Sequence, residues 1–411
     1  MKTFNQTELL APAGDLQKAY IALDYGADAI FLGAKSYSLR AHASNFEIND
    51  IKEIINYAHS KNKKVYLVTN IICHNALIKS AHEFIGQLVQ CNPDGFITSD
   101  PFIINLLKNN FHQKNIHIST QQSVCNSKAS LFWKRNGANR IVLAREVSYQ
   151  ELKLLLKNLN HEIEIEVFIH GAVCISYSGR CTMSNNFSLR DANVGGCAQS
   201  CRWKYKIENN DIHQKDKYFT MSAKDMVQIN NISNLLDLGI ASFKIEGRMK
   251  SLHYIATVVN TYRKAMDNYY HNHDINFPLL TSEINNAANR ETDTAWYFGS
   301  PNQTKMLYHD EQKIVNQNYA FIIMNHCNDF YEIQTKNKIY INQEIEIISP
   351  DLASPLKTKI TFMKDMDNNL INVCPTPMTK LFIQLDTTIT LNYPAIARIL
   401  STNITQTKIH D

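Results

Sequence analysis

From residue 8 to about 250, short apolar, β-branched runs alternate with longer segments whose apolar residues recur at helical spacing. The runs Glu8 to Ala11, Ala29 to Leu32, Lys64 to Thr69, Gly95 to Thr98, Ile116 to Ser119, Arg140 to Ala144, Ile163 to Ile169 and Ser242 to Ile245 predict eight strands. Between them, Asp15 to Tyr25, Ile48 to Ser60, Ala76 to Val89, Pro101 to Asn110, Ser127 to Asn136 and Ser148 to Asn158 predict amphipathic helices, with Asp15, Asn49 and Ser148 as caps. Eight strand–helix units over about 250 residues fit the rhythm of a (β/α)8 TIM-like barrel better than a doubly wound sheet of fewer strands.

The rhythm breaks once. About 70 residues separate Ile169 from Ser242, and only the later part, Ala223 to Leu238, reads as the expected crossover helix. Tyr254 to Tyr270 reads as the last barrel helix. From about 318 to 400 the pattern changes to strands alone: Ala320 to Met324, Phe330 to Gln334, Glu344 to Ile348, Thr358 to Met363, Leu370 to Val373, Leu381 to Leu385 and Thr387 to Leu391. The predicted organisation is α/β: a barrel over 1–275 with an insertion after strand seven at about 170–240, a linker with a helical segment over 276–317, and a small antiparallel all-β domain over 318–411.

The composition fits a folded globular chain of 411 residues, 44% hydrophobic and 19% charged. A net charge of +4 does not by itself announce a nucleic-acid binder, so any basic surface must be local. Residues 202 to 264 supply one, with 11 Lys plus Arg against 6 Asp plus Glu, and Trp203, Tyr205 and Tyr218 there are candidates for stacking bases. No apolar stretch approaches the roughly 18–20 residues that cross a bilayer, and Met1 to Gln6 lacks the apolar centre of a signal peptide, so a cytoplasmic protein without membrane association is expected.

In that compartment cysteines stay mostly reduced, and uneven spacing points to metal or redox chemistry. Cys73, Cys91, Cys125, Cys327 and Cys374 are scattered and read as small buried hydrophobes. Cys174, Cys181, Cys197 and Cys201 fall within 28 residues at the start of the insertion. Four thiolates complete a tetrahedral set, enough for a structural zinc or a [4Fe–4S] cluster. The spacing has no two-residue zinc knuckle, and Gly179, Gly195 and Gly196 allow backbone amides near cluster sulfurs. Arg180, Arg190, Arg202 and Lys204 surround the thiols. The chain has no dinucleotide fingerprint, phosphate-cradling loop, zinc-protease helix or nucleophile elbow.

The segment from Glu166 to Ser184, with His170-Gly171-Ala172-Val173-Cys174 and Ser178-Gly179-Arg180-Cys181, resembles the collagenase-like peptidase family U32. Glu8 to Gly14, Tyr25 to Ala29, Arg190 to Asn193, Cys197 to Trp203 and Phe243 to Ser251 extend the likeness over most of the chain. Within that family the chain looks most like members that help place a 5-hydroxyl on the wobble uridine of bacterial tRNA, using prephenate.

The resemblance implies an enzyme acting on tRNA with a [4Fe–4S] cluster on Cys174, Cys181 and Cys197. Some relatives place the fourth thiol after a Lys-Asp pair, where this chain has Lys224-Asp225-Met226-Val227, so Cys201 is the candidate here. Hydroxylating a uracil carbon is an oxidation that side chains cannot perform alone, which fits a redox cofactor and an electron donor yet to be identified. Prephenate is a dianion, and Arg40, Arg145, Arg190 and Arg248 are candidates to bind its carboxylates. His170 and Glu246, which end neighbouring strands of a closed barrel, are candidates for proton transfer. Two alternatives remain open: a peptidase of the same family, and a zinc-bearing, non-catalytic RNA-binding protein.

Overall fold

A computed structural model describes residues 6–38, 46–113, 115–206, 218–299, 303–307, 319–387, 391 and 394–400. Eight parallel strands form the barrel: β1 (Glu8–Pro12), β2 (Ala29–Gly33), β3 (Lys64–Thr69), β4 (Gly95–Thr98), β5 (Ile116–Ile118), β6 (Arg140–Val142), β7 (Glu164–Gly171) and β8 (Ser242–Ile245). Each pairs with the next in sequence, and β8 closes the ring between β7 and β1. Strands covered on both faces must be apolar along their length, which is why the runs were readable as elements. The lower axis is different. There Arg140 meets Glu8 at 2.6 Å and Glu166 at 3.3 Å, Lys244 meets Glu166 at 2.7 Å, and Tyr66 donates to Glu8 at 2.7 Å, all of them buried.

The helices α1 (Leu16–Asp24), α2 (Ile48–Ser60), α3 (Ile78–Gln90), α4 (Pro101–Asn105), α5 (Ser127–Arg135) and α6 (Tyr149–Leu159) follow successive strands. Asp15 and Ser148 cap α1 and α6 through side-chain oxygens. The expected cap Asn49 instead lies inside α2, because Glu47 stands at the N-cap and its amide donates to Asp50 at 3.0 Å. Beyond α4 the chain widens into a π-turn over Leu106–Asn110.

The segment expected as one crossover helix divides. Asp225–Val227 is a short strand that pairs antiparallel with the end of β7, Met226 opposite Gly171 and Val227 opposite His170, and only Ile232–Leu236 (α7) is helical. The extra length of β7 beyond the barrel offers unpaired backbone groups, and satisfying them outweighs the helical periodicity of the first turn. Thr292–Asp293 then adds in parallel to Asp225–Val227.

Helix α8 (Leu252–Tyr270) is buried on nearly every face of its first four turns. An all-round buried helix needs cover on both sides. The barrel supplies one side; helix α9 (Phe277–Ala287), which packs on α8, and the C-terminal β-domain supply the other, with His253 stacked on Tyr319 and Lys264 donating to the Leu352 carbonyl at 2.7 Å. Strands β9 (Tyr319–Cys327), β10 (Phe330–Thr335), β11 (Glu344–Ile348), β12 (Leu356–Lys364), β13 (Lys380–Leu385) and β14 (Ala395–Ile399) close into a second, antiparallel barrel in the order β9-β10-β13-β12-β11-β14. Strand β14 was not anticipated. The expected strand Thr387 to Leu391 falls partly outside the described residues, and Leu370 to Val373 contributes only Val373–Cys374, paired with Ile339–Tyr340.

The two barrels are joined by specific contacts. Tyr25 donates to the carbonyls of Ile348 and Pro394, at 2.9 and 3.1 Å. Arg398 of β14, buried, pairs with Glu283 of α9 and Glu346 of β11, each at 2.7 Å. Among the described residues no helix is long and apolar enough to cross a membrane.

Candidate functional site

The residues after the C-terminal ends of the barrel strands form a hydrogen-bonded rim. Asn70 donates to Gln121 at 2.9 Å, Ser99 donates to the Asn70 carbonyl at 2.8 Å, and Asp100 accepts from the amides of Cys73 and Phe102. The cysteine-rich insertion is fastened onto this rim. Glu146 accepts from the Ser178 amide at 2.6 Å and from its hydroxyl, while Arg180 donates to the Gln121 carbonyl at 2.5 Å and to Gln122 at 3.0 Å. Ile72 donates to the Asn193 carbonyl at 3.1 Å. Arg180, singled out as a cation near the thiols, therefore serves to dock their loop.

Two glycines permit this path. At the end of β7, Gly171 has φ +106° and an added Cβ would lie 2.3 Å from the Glu246 carbonyl oxygen, so the strand can leave the barrel only without a side chain there. Before Cys197, a Cβ on Gly196 would lie 2.8 Å from the Asp191 carbonyl oxygen.

Cys174 and Cys197 are exposed and Cys181 and Cys201 half-buried, all four reduced. Burial pushes the Cys201 thiol up to about 11; Arg202 opposes this, and Cys174, Cys197 and Cys181 each add to it, so the other three sulfurs lie within electrostatic reach of Cys201. Among the described residues, no three His, Cys, Asp or Glu side chains gather tightly enough to hold a single metal ion. Thiolates on one zinc, at Zn–S of about 2.3 Å, would nearly touch. The Met183 amide points at the Cys181 sulfur, 3.4 Å away, the kind of contact that stabilises a ligating thiolate.

Beside the thiols lies a charged group in which Lys250 and Arg290, which the sequence did not single out, join Asp225 and Arg202. Asp225, buried, sits 3.3 Å from Lys250 and 3.1 Å from Arg290, and Lys250 also reaches Asn289 at 2.5 Å. Burial lowers the pKa of Arg202, and the neighbouring Arg290 adds to the effect, while Asp225, Cys201 and Cys174 oppose it. Lys250 is lowered in the same way, first by burial. Two cations thus pair with one carboxylate, with Arg202 within electrostatic reach, beside two of the thiols. Next to Cys174 opens a cleft of about 70 Å³ walled by Val173, Ile175, Trp296 and Met306, with Lys224, Lys305 and Asp293 at its polar side.

His170 and Glu246 end adjacent strands, the Glu246 amide donating to the His170 carbonyl at 2.9 Å. The imidazole is buried between Tyr254 and Tyr262, and its Nδ1 lies 3.3 Å from the Tyr262 hydroxyl. That hydroxyl donates to the Ile169 carbonyl, leaving Nδ1–H as the donor toward it. Burial pulls the His170 pKa down to about 3, so the ring is neutral and works as a hydrogen-bonding group, not as a cationic acid.

The predicted arginines do not converge. Arg145 lies 3.9 Å over the Phe168 ring, lining a separate small pocket of about 10 Å³. Arg190 is exposed on the insertion. Arg248 is buried and donates to Ser38 at 2.9 Å. Arg40 lies outside the described residues.

Comparison with known proteins agrees with this architecture. The family model described as Peptidase family U32 matches residues 14–307, and that described as Peptidase family U32 C-terminal domain matches 317–398. The tRNA hydroxylation protein P1 of Bacillus subtilis is 39% identical over 391 residues, covering 92% of each chain. The tRNA hydroxylation protein P of Haemophilus influenzae is 30% identical over 460 residues, covering 98% of each. A 23S rRNA 5-hydroxycytidine synthase of Escherichia coli is 34% identical over 265 residues, covering 64% of this chain and 40% of that one. With a TIM-like barrel, a C-terminal β-barrel and both family regions matched, the chain belongs to peptidase family U32.

Proposed function

We propose that this protein is an RNA-hydroxylating enzyme that helps install the 5-hydroxyl group on the wobble uridine of tRNA. Cys174, Cys181, Cys197 and Cys201 would hold a [4Fe–4S] cluster, and prephenate would be the co-substrate. The observation that carries this reading is the docking of the insertion that bears all four cysteines onto the rim of the barrel, beside a cationic group and a cleft. The names of the near full-length relatives support the RNA part of it. When bound, such a cluster supplies the redox chemistry that oxidation of a uracil carbon requires.

The chain's own residues would do the rest. Lys250, Arg290 and Arg202 outnumber Asp225 and so retain attraction for a small dianion, a task better suited to them than to the dispersed Arg145, Arg190 and Arg248. The apolar walls of the neighbouring cleft suit a ring and exclude water from it. Neutral His170 would orient a substrate group, and Glu246 would accept a proton. A reductant or other electron carrier completes the reaction, and the substrate would be met in the cytoplasm.

The family's peptidase name does not find a matching constellation. The described hydrogen bonds of His59, His117 and His170 end on Asp94, Asn115 and Tyr262, so among the described residues none joins a histidine to a serine or cysteine nucleophile.

The test has two arms. Anaerobically purified protein should contain iron and acid-labile sulfide, and tRNA from a strain lacking this protein and any duplicate should lose 5-hydroxyuridine derivatives. One zinc and no sulfide would end the cluster reading; unchanged nucleosides, or iron-independent cleavage of casein, would end the hydroxylation reading.

A further inference from the structure

The insertion carries an apolar surface that its own packing does not use. Phe187 is 54% exposed, Leu189 94% and Trp203 41%. Phe187 and Trp203 belong to a row of rings: Phe187 lies 6.5 Å from Trp203 and 5.6 Å from Tyr205, and Tyr205 lies 5.9 Å from Phe219. Tyr205 and Phe219 are directly opposed across a two-residue antiparallel ladder, which puts both on one face and turns Tyr218, paired with Lys206, to the other. Of the three aromatics considered from sequence, Trp203 and Tyr205 therefore join the row and Tyr218 does not.

Leu189 adds an independent observation. It caps the short helix Met183–Ser188 with φ +53°, a conformation that a leucine adopts at a cost, while its side chain is almost wholly exposed. Neither burial nor backbone preference accounts for a leucine there. The charge around the row is one-sided. Residues 172–206 contain Arg180, Arg190, Arg202, Lys204 and Lys206 against Asp191 alone, so this short stretch carries +4, equal to the net charge of the whole chain. Exposed rings within a cationic field match bases on a phosphate backbone, whereas an apolar protein partner would not call for that field.

We propose that Phe187, Leu189 and Trp203 form a stacking platform for unpaired nucleotides flanking the target base. This inference rests on the RNA-hydroxylase reading and deepens it. The platform stands on the same loop as the four thiols, so laying a single strand across it brings neighbouring bases toward the barrel's open end. Base-paired nucleotides keep their faces stacked on one another and gain nothing from it.

The test compares binding of the full, metal-loaded chain to a short RNA hairpin with an unpaired uridine-containing loop and to a fully paired duplex of the same length. Replacing Phe187 and Trp203 together by Ala should weaken hairpin binding about tenfold or more, since stacking contributes about 1–3 kcal/mol per base, and should leave duplex binding and iron content unchanged. Trp203→Phe should retain most of the affinity. Leu189→Ser, at a position with no packing to lose, should also weaken hairpin binding. Equal hairpin affinity in parent and variants would overturn the platform while leaving RNA recognition intact. Failure of the parent to bind either RNA would overturn the RNA reading itself. Loss of self-association in the variants without change in RNA affinity would reassign the surface to contacts between copies and overturn the proposal.

Discussion

Asp225 and Lys250 lie 3.3 Å apart although one belongs to the insertion and the other comes after the last barrel strand. Arg290 approaches the same carboxylate from a third segment. If the proposed function holds, Lys250→Met should lower tRNA hydroxylation at least tenfold, chiefly through a raised KM for the proposed dianionic co-substrate, with iron content unchanged. Asp225→Asn leaves the half-buried cations facing one another and should destabilise the fold by about 1–3 kcal/mol. Steady-state kinetics of the first variant and urea unfolding of the second check both.

Glu146 fastens the thiol loop to the barrel through Ser178. Glu146→Ala leaves a buried-side amide and hydroxyl without their acceptor, at about 1–3 kcal/mol. Little of that should appear as global unfolding. We expect faster proteolytic cleavage within residues 172–206 and quicker loss of iron on dilution, both measurable against the parent protein.

The ionic network on the lower axis of the barrel should matter to stability alone. Glu166→Ala strands Lys244 and removes a partner of Arg140, and should cost about 3–5 kcal/mol. A Glu166→Leu, Lys244→Met double variant removes both charges and should recover much of that loss. Unfolding midpoints of the two proteins provide the comparison.

Acid should weaken the fold in two ranges. His253 is stacked on Tyr319 between the two barrels, and burial holds its pKa down to about 3, against about 6.5 when unfolded. The unfolded chain therefore binds more protons between those values, so the contribution is complete above about pH 6.5 and falls by an amount on the order of 4 kcal/mol as pH drops toward 3. For Glu8, burial favours the neutral acid, but Arg140 prevails and lowers the pKa. Its stabilisation is present above the unfolded value of about 4.3 and disappears as pH falls through the folded value. His253→Phe should flatten the upper limb of a stability–pH curve and leave the lower one.

The barrel was legible because each strand is buried on both faces and each helix on one, which leaves strong periodic traces such as Lys64–Thr69 and Ile48–Ser60. Ala223 to Leu238 misled because Met226, Ile229, Ile232 and Leu236 keep helical spacing even though Asp225–Val227 is recruited to the edge of β7. Strand β14 was hidden by its alternation of Ala with Ile and Arg, with Arg398 turned inward to two carboxylates. The thiols could be found by proximity in sequence. Asp225 and Arg290 stand 65 positions apart, and only the fold makes them neighbours.

The salt-bridged floor of the larger barrel has a chemical corollary. With Glu8, Arg140, Glu166 and Lys244 buried and paired on the axis, that end of the barrel is filled by charged side chains. If the proposed chemistry takes place at the other end, this filled floor leaves the rim that carries the cysteine-bearing insertion as the side from which reactants would approach.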